Sequence, residues 1–161
     1  MRKLIASLFV GLGMLPPAPS PAQPIEASQR LGDLLFLALD HGVDSVRQGG
    51  PLVPFVIAEV DGKRSIDRFV AEPYEMAVAE ARMAASKLSR QSSIYALAYD
   101  GFVTIGGDKY DAIIVHGAER GNGKAYLLAQ RYVPAKDGKS LEVLGNPVLV
   151  GREDALFNGE P

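Results

Sequence analysis

The fold is decided by the stretch from Ile94 to Val133, which reads IYALAYDGFVTIGGDKYDAIIVHGAERGNGKAYLLAQRYV. Apolar runs in this stretch are separated by two glycine-rich segments, Gly106-Gly107 and Gly121-Asn122-Gly123. Glycine is favoured in tight turns because it adopts positive φ without steric cost. The stretch therefore predicts an antiparallel meander at the centre of a single sheet.

The second hairpin of this meander can be aligned by counting outward from a three-residue loop, 121–123. The count pairs Ala118 with Tyr126, His116 with Leu128, Ile114 with Gln130 and Ala112 with Tyr132. It places a polar group on one face of the sheet, made of His116, Tyr126, Gln130 and Tyr132. Ala112 to Val115 is apolar on both faces, which is typical of a central strand covered on both sides by helices or by a partner chain.

Two helices are predicted outside the meander. The first runs from about Ser28, a suitable N-cap, to Arg47, and its apolar stripe is Leu31, Leu34, Leu35, Ala38, Gly42 and Val46. The second runs from about Pro73 to Arg90 and has two adjacent stripes. We expect both stripes to pack in the core, although a methionine stripe can also form a binding surface: Tyr74, Val78, Ala81, Ala85, Leu88, and Met76, Ala79, Met83.

The remaining strands are read from turn signals. Asp61-Gly62 predicts a two-residue hairpin turn that pairs Val60 with Lys63 and makes Glu59 and Arg64 an exposed ion pair. Asp137-Gly138 predicts another turn, followed by short strands at 140–144 and 148–150. Residues 152–161 are predicted to be a flexible tail in which Leu156 and Phe157 could dock.

These elements define an α+β domain over residues 28–151, in the order α-β-β-α-β-β-β-β. We expect one mostly antiparallel sheet of five to six strands with two main helices packed on it. By element order the chain resembles the roadblock or profilin-like architecture, which also places a hairpin, a helix and a meander in succession. The resemblance concerns element order only and carries no function with it.

The first residues have the layout of a secretory signal peptide. Arg2-Lys3 precedes an uncharged apolar run from Leu4 to Leu15, and small residues at Ser20 and Ala22 predict cleavage after Ala22. The run has 12 residues, too few to span a bilayer core of about 30 Å. We expect a signal peptide at 1–22, a linker at 23–27 and export to the periplasm or medium. The alternative is a cytoplasmic protein whose true start is Met14.

Composition excludes some function classes. The chain of 161 residues is 47% hydrophobic and 22% charged, so one domain can bury a core. The net charge of −2 provides no basic surface for nucleic acid, and no nucleic-acid partner is expected. The chain has no cysteine, so it contains no disulfide and no lipid-anchoring cysteine. No integral membrane span is expected once the signal peptide is removed.

No catalytic motif stands out. The glycines at 106–107 lack the phosphate-loop and Rossmann patterns, so no cofactor is expected. His41 with Asp44 near the end of the first helix provides two metal ligands, fewer than a metal site needs, so no metal is predicted. His116 is the one candidate base, and it forms with Tyr126, Gln130 and Tyr132 a speculative binding face.

Three functions remain open on these grounds. The sequence favours a small exported, non-catalytic domain that acts through protein–protein contacts, with a homodimer or an envelope protein as its partner. The first alternative is a small-molecule-binding protein or a hydrolase-type enzyme that uses the sheet face around His116. The second is a cytosolic regulatory module, which applies if Met14 is the true start.

Overall fold

Two helices and six strands form the domain in a computed structural model that describes residues 27–47, 50–88, 90–136 and 140–157. In chain order they are α1 Gln29–Arg47, β1 Phe55–Val60, β2 Lys63–Arg68, α2 Tyr74–Ser86, β3 Ser92–Ile105, β4 Asp108–Glu119, β5 Lys124–Val133 and β6 Glu142–Asp154. The α+β class and the predicted element order are confirmed. The predicted signal peptide, Met14, nearly all of the predicted linker and the Asp137-Gly138 turn lie outside the described residues.

The six strands form one antiparallel sheet in the order β2-β1-β3-β4-β5-β6. The first hairpin has the register that the Asp61-Gly62 turn predicts, with Val60 opposite Lys63 and Glu59 opposite Arg64. β2, at one edge, is exposed at all six positions and carries four charged residues. Charged side chains on an edge strand discourage pairing with another chain.

The helices cover opposite faces of the sheet. α1 packs on a core that includes Phe55 and Ile57 of β1 and Ile113 and Val115 of β4, and we name this side the α1 face. α2 packs on the other side, the α2 face, against a smaller core around Tyr95. The central strand β4 is buried on both faces, at Ile113 and Val115 on the α1 face and at Ala112, His116 and Ala118 on the other, as its doubly apolar sequence predicts.

α1 begins and packs as its sequence indicates. The backbone N–H of Leu31 donates to Ser28 Oγ at 3.1 Å, which makes Ser28 the N-cap, and every residue of the predicted stripe is buried. The helix lies close to the sheet because Gly42 and Gly117 leave room for it. A Cβ at Gly117 would lie 2.6 Å from Leu35 Cδ2 and 2.9 Å from the carbonyl oxygen of Tyr95.

The ion pair at Glu59 differs from the prediction of an exposed pair. Glu59 is buried, and its carboxylate is held by Arg64 of β2, with Nε at 3.0 Å, and by Arg30 of α1. Hydrogen bonds from Arg64 and then Arg30 hold the pKa of Glu59 below its ordinary value. The sequence signal missed this burial because Arg30 comes from a helix 29 residues away.

The methionine stripe of α2 faces solvent. The expectation that both stripes of α2 pack in the core is therefore wrong for this stripe. Ala77, Ala81 and Ala85 are the buried residues of α2, whereas Met76, Ala79 and Met83 are exposed. Alanines at four-residue spacing give the narrowest face of the helix and allow the closest approach to the sheet.

The register predicted for the β4–β5 hairpin is wrong by one residue. Ala118 pairs with Ala125, and Gly117 rather than Ala118 pairs with Tyr126. The connection has four residues, because the N–H of Arg120 donates to Ser93 O of β3 at 2.8 Å and the N–H of Asn122 to Glu119 O at 3.2 Å. A shift of one residue moves every side chain of β5 to the other face relative to β4.

The C-terminal strands predicted at 140–144 and 148–150 are one bent strand, β6, whose register with β5 shifts at two places. Gly145 has a φ of 61° at the bend, a conformation that favours glycine. Residues 152–154, assigned to the tail by the sequence, continue β6, and Phe157 is buried against the α2 face. Within the described chain, neither helix has the length and apolar character that a membrane crossing requires.

Candidate functional site: a cleft at one end of the sheet

A cleft of about 580 Å³ opens at the end of the sheet where β1 begins. One wall is the segment 51–54 that precedes β1, and a second wall is the segment 69–74 that leads into α2. The β3–β4 hairpin forms a third wall, at Asp100, Gly101, Phe102 and Asp111. Most of the lining groups are apolar, as in sites that bind ligands or side chains of a partner.

A polar cluster joins this cleft to the α1 face, and we name it the cleft cluster: Tyr74, Asp100, Asp111 and Tyr132. The hydroxyl of Tyr132 donates to Asp100 Oδ1 at 2.8 Å, and the backbone N–H of Asp100 donates to Tyr74 Oη at 2.7 Å. Asp111 pairs with Phe102 on one side and with Tyr132 on the other, so it lies on the same face as Asp100.

Partial burial shifts the pKa values of Asp100, Tyr74 and Tyr132. Burial raises the pKa of Asp100, the hydrogen bond from Tyr132 lowers it, and the negative charge of Asp111 raises it again. Burial also raises the pKa of Tyr74, to about 12, and that of Tyr132. Two carboxyl groups with no basic residue among the described lining residues make this end of the cleft acidic.

The edge of β3 is open along the cleft. β1 ends its pairing at Phe55, which lies opposite Ala98, so Tyr99–Ile105 pair with β4 alone among the described residues. The N–H of Asp100 faces away from β4, toward Tyr74. Because every second residue of a strand directs its backbone groups to the same edge, those of Phe102 and Thr104 face the open side as well.

Large apolar side chains stand exposed at the rim. Phe102 is 58% exposed and Val70 is 82% exposed. The ammonium of Lys109 lies 3.7 Å from the centre of the Phe102 ring. Exposed apolar groups beside a concave apolar surface are typical of interaction sites.

The four residues of the predicted binding face are divided between the two sides of the sheet. Tyr126, Gln130 and Tyr132 lie on the α1 face, and His116 lies on the α2 face. Tyr126 is buried in the α1 core, and Gln130 Nε2 donates to the carbonyls of Leu144 and Gly145 at the bend of β6. Only Tyr132 reaches the cleft cluster.

His116 belongs to a second polar group, the sealed cluster of Tyr95, His116, Glu153 and Leu156. Its ring has no exposed surface, and Tyr95 Oη lies 3.1 Å from His116 Nδ1. The N–H of Leu156 donates to Tyr95 Oη at 2.9 Å, so the tyrosine hydroxyl proton is left for His116 Nδ1. In this arrangement the ring proton is on Nε2, which makes no hydrogen bond among the described residues and lies 3.6 Å from Glu153 Oε2.

The sealed cluster is closed by the C-terminal residues. Phe157 meets the Tyr95 ring edge-on with the centroids 4.9 Å apart. Burial, and after it the positive charge of Arg82, hold the pKa of His116 below its ordinary value, so the ring is neutral near pH 7. A buried neutral histidine bonded to a tyrosine is a packing element of this face.

His41 has contacts that do not resemble a metal site. Its ring packs edge-on against Phe55, with centroids 5.0 Å apart, and its Nε2 lies 2.9 Å from a guanidinium nitrogen of Arg68. Asp44 pairs with Arg47 instead. In the described part of the chain no three His, Asp or Glu side chains group closely enough to hold a metal ion.

No protein-family model, no curated protein and no solved structure matches this chain. The cleft must therefore be interpreted from its own geometry.

Some of the cleft residues that the sequence analysis missed could have been predicted from the sequence. Counting outward from a two-residue turn at Gly106-Gly107 pairs Ile105 with Asp108, and the same count puts Phe102 opposite Asp111, as the structure does. Such a count would have placed Asp100 and Asp111 on one face. Tyr74 and Val70 carried no local signal, because they reach the cleft only through the packing of α2.

Proposed function

We propose that this protein is a non-catalytic binding domain, and that its cleft receives an apolar segment of a partner protein. The observation that carries the proposal is the cleft of about 580 Å³ with Phe102 and Val70 exposed at its rim. An exposed phenylalanine beside an apolar concavity is stabilised when a partner covers it.

The chemistry of the cleft supports binding over catalysis. Asp100 and Asp111 are the acids of the hairpin wall, and the described lining residues include no serine, threonine, cysteine, lysine or histidine to work with them. The hydroxyl of Tyr132 is committed to Asp100 at 2.8 Å. A general acid or base needs a reacting group within hydrogen-bond reach, and binding needs only complementary surface.

A small apolar molecule is the second candidate occupant. The specific observation in its favour is the volume of the cleft, about 580 Å³, which falls within the range of ligand pockets. The cleft cluster would orient such a ligand by its carboxylates and the Tyr74 hydroxyl.

We also propose that the protein is exported. The support is the sequence layout of residues 1–22, with Arg2-Lys3, an apolar run and small residues before the cut. Fractionation of cells expressing the full chain, followed by intact mass measurement, tests this. A periplasmic species starting near Gln23 supports export, and a cytoplasmic species starting at Met1 or Met14 contradicts it.

Titration with Nile red, a neutral apolar dye, tests the cleft. We expect one saturable site with increased, blue-shifted emission. The double variant Val70→Ser with Phe102→Ser should weaken the affinity about tenfold, because it removes most of the apolar rim.

Leu149→Ser is the matched control. Leu149 is 58% exposed, the same fraction as Phe102, and lies on β6 away from the cleft. Its substitution should leave dye affinity unchanged. Absence of a saturable site, or equal weakening by Leu149→Ser, would contradict the proposal.

A further inference from the structure

We propose that the occupant of the cleft is an extended peptide segment that adds a strand to the open edge of β3 and carries basic residues toward Asp100 and Asp111. This inference rests on the proposed function and specifies the partner's chemistry. It takes its support from three features: the unpaired edge, the mostly apolar lining of the cleft and the sign of the charges.

The open edge provides the backbone contacts. Tyr99–Ile105 has a partner strand on one side only within the described residues, and Phe102 and Thr104 direct their N–H and C=O groups to the free side. An added strand would satisfy these groups in the way that sheet-extending peptides do. Tyr74 already holds the N–H of Asp100, which marks where the added strand would end.

The other two sheet edges are less suited to this role. β2 is exposed throughout and carries the charged sequence KRSIDR, which protects an edge against pairing. β6 is bent, with two register shifts against β5, so it offers no straight ladder to a partner. The free part of β3 is straight in its pairing with β4, without a register shift.

Charge decides which peptides fit. The described lining residues include the carboxyl groups of Glu72, Asp100 and Asp111 and no Lys, Arg or His. Side chains of a strand alternate between faces, so one set would lie against the apolar lining residues and the other could carry lysine or arginine toward Asp100 and Asp111. Lys109, whose ammonium lies 3.7 Å from the centre of the Phe102 ring, adds one positive charge beside these three carboxyl groups, so the net charge around the cleft stays negative.

A display selection with random ten-residue peptides on the immobilised protein tests the inference. Only peptides that displace Nile red are considered. We expect these to alternate apolar residues with Lys or Arg and to be depleted in proline. An excess of acidic, uncharged or proline-rich peptides would overturn the inference.

Substitutions at Thr104 and at Asp111 test the contribution of the free edge and that of the negative charge separately. Thr104→Pro removes an outward N–H and places a ring on the free edge, while the bonds to β4 are made by the alternate residues. We expect peptide affinity to fall at least about tenfold, and Thr104→Val to have no effect. Asp111→Asn should weaken binding of basic peptides about threefold at low salt and have less effect at high salt.

Amide exchange on the unmodified protein keeps the test valid if Thr104→Pro fails to fold. Bound peptide should slow exchange of the Phe102 and Thr104 amides, and unchanged exchange would overturn strand addition.

Peptides that displace the dye without these effects refute strand addition but leave the proposed function standing. If no peptide displaces the dye, both proposals fail. Self-association abolished by Thr104→Pro would assign the edge to a second copy instead.

Discussion

The cleft cluster and the sealed cluster are built from similar parts and differ in what covers them. Each joins a tyrosine hydroxyl to an ionisable side chain, Tyr132 to Asp100 at 2.8 Å and Tyr95 to His116 at 3.1 Å. The chain's own residues 155–157 close over the second cluster. At the first, β1 begins only at Phe55, opposite Ala98, and leaves the rest of the β3 edge open.

The difference teaches that polar chemistry alone does not identify a site. The sequence makes His116 the candidate base because histidine is the common base at neutral pH, yet its ring has no exposed surface. Asp100 is not a candidate by sequence, and it lies in the wall of the cleft. The cleft cluster meets solvent because β1 begins only at Phe55, whereas residues 155–157 cover the sealed cluster.

The largest expected effect is the loss of the sealed cluster's histidine. His116→Ala should lower the free energy of unfolding by about 3 kcal/mol, because it leaves a cavity and removes the partner of the Tyr95 hydroxyl. Urea unfolding measures this, and Nile red affinity of the folded variant should stay unchanged. A cost as small as that of a surface substitution would mean that the two clusters do not differ as described.

The next effect concerns the closing residues 155–157. Tyr95→Phe should cost about 1.5 kcal/mol, since the N–H of Leu156 loses its acceptor and His116 its donor. Exchange of the Leu156 amide should accelerate. Tyr99→Phe is the control, because Tyr99 is partly exposed and its hydroxyl accepts a long, 3.5 Å contact from Arg82. Equal effects of the two variants would count against a specific closing bond.

The two clusters should respond to pH with opposite signs. The pKa of His116 is lowered in the folded state, so the unfolded chain binds the proton more tightly. Stability should therefore fall as the pH drops below about 6.5, by at most about 1.4 kcal/mol per pH unit. Unfolding of His116→Gln at pH 7.5 and 5.5 should show a weaker dependence. An unchanged dependence would assign it to other groups.

The smallest effect is expected at Asp100. Its pKa is raised in the folded state, so the folded protein binds the proton more tightly and this carboxylate destabilises it above that pKa. Asp100→Asn keeps an acceptor for Tyr132 and should raise the unfolding free energy at pH 7 by less than about 1 kcal/mol, because solvent screens the half-buried group. Tyr132→Phe, which removes the bond that lowers this pKa, should not share the gain. A loss of stability in Asp100→Asn would mean that the carboxylate is held favourably.

The sequence predicts the elements of this fold well and their faces less well. α1, its cap at Ser28 and the first hairpin could be read because each has a local signal, such as the Asp61-Gly62 turn. The register of the β4–β5 hairpin could not, because loop length depends on the bond from Arg120 to Ser93, 27 residues earlier. That one residue divided the predicted binding face between two sides of the sheet.

The site itself depends on contacts that are distant in the chain. Tyr74, Asp100 and Tyr132 come from α2, β3 and β5, and no spacing rule connects them. The exposure of the α2 methionines was equally hidden, since periodicity gives a stripe and not its direction. The membership of the site and the direction of the methionine stripe both depend on which surfaces are buried, and this is fixed only when the helices and the sheet assemble.

The glycine beneath α1 restricts how this chain can diverge. An alanine at Gly117 would place its methyl group 2.9 Å from the backbone oxygen of Tyr95, which cannot move aside as a side chain can. Trimming Leu35 alone would relieve only the second clash, at 2.6 Å. Distant descendants that keep the present spacing between α1 and the sheet should therefore retain glycine at 117, while position 35 can vary with the packing around it.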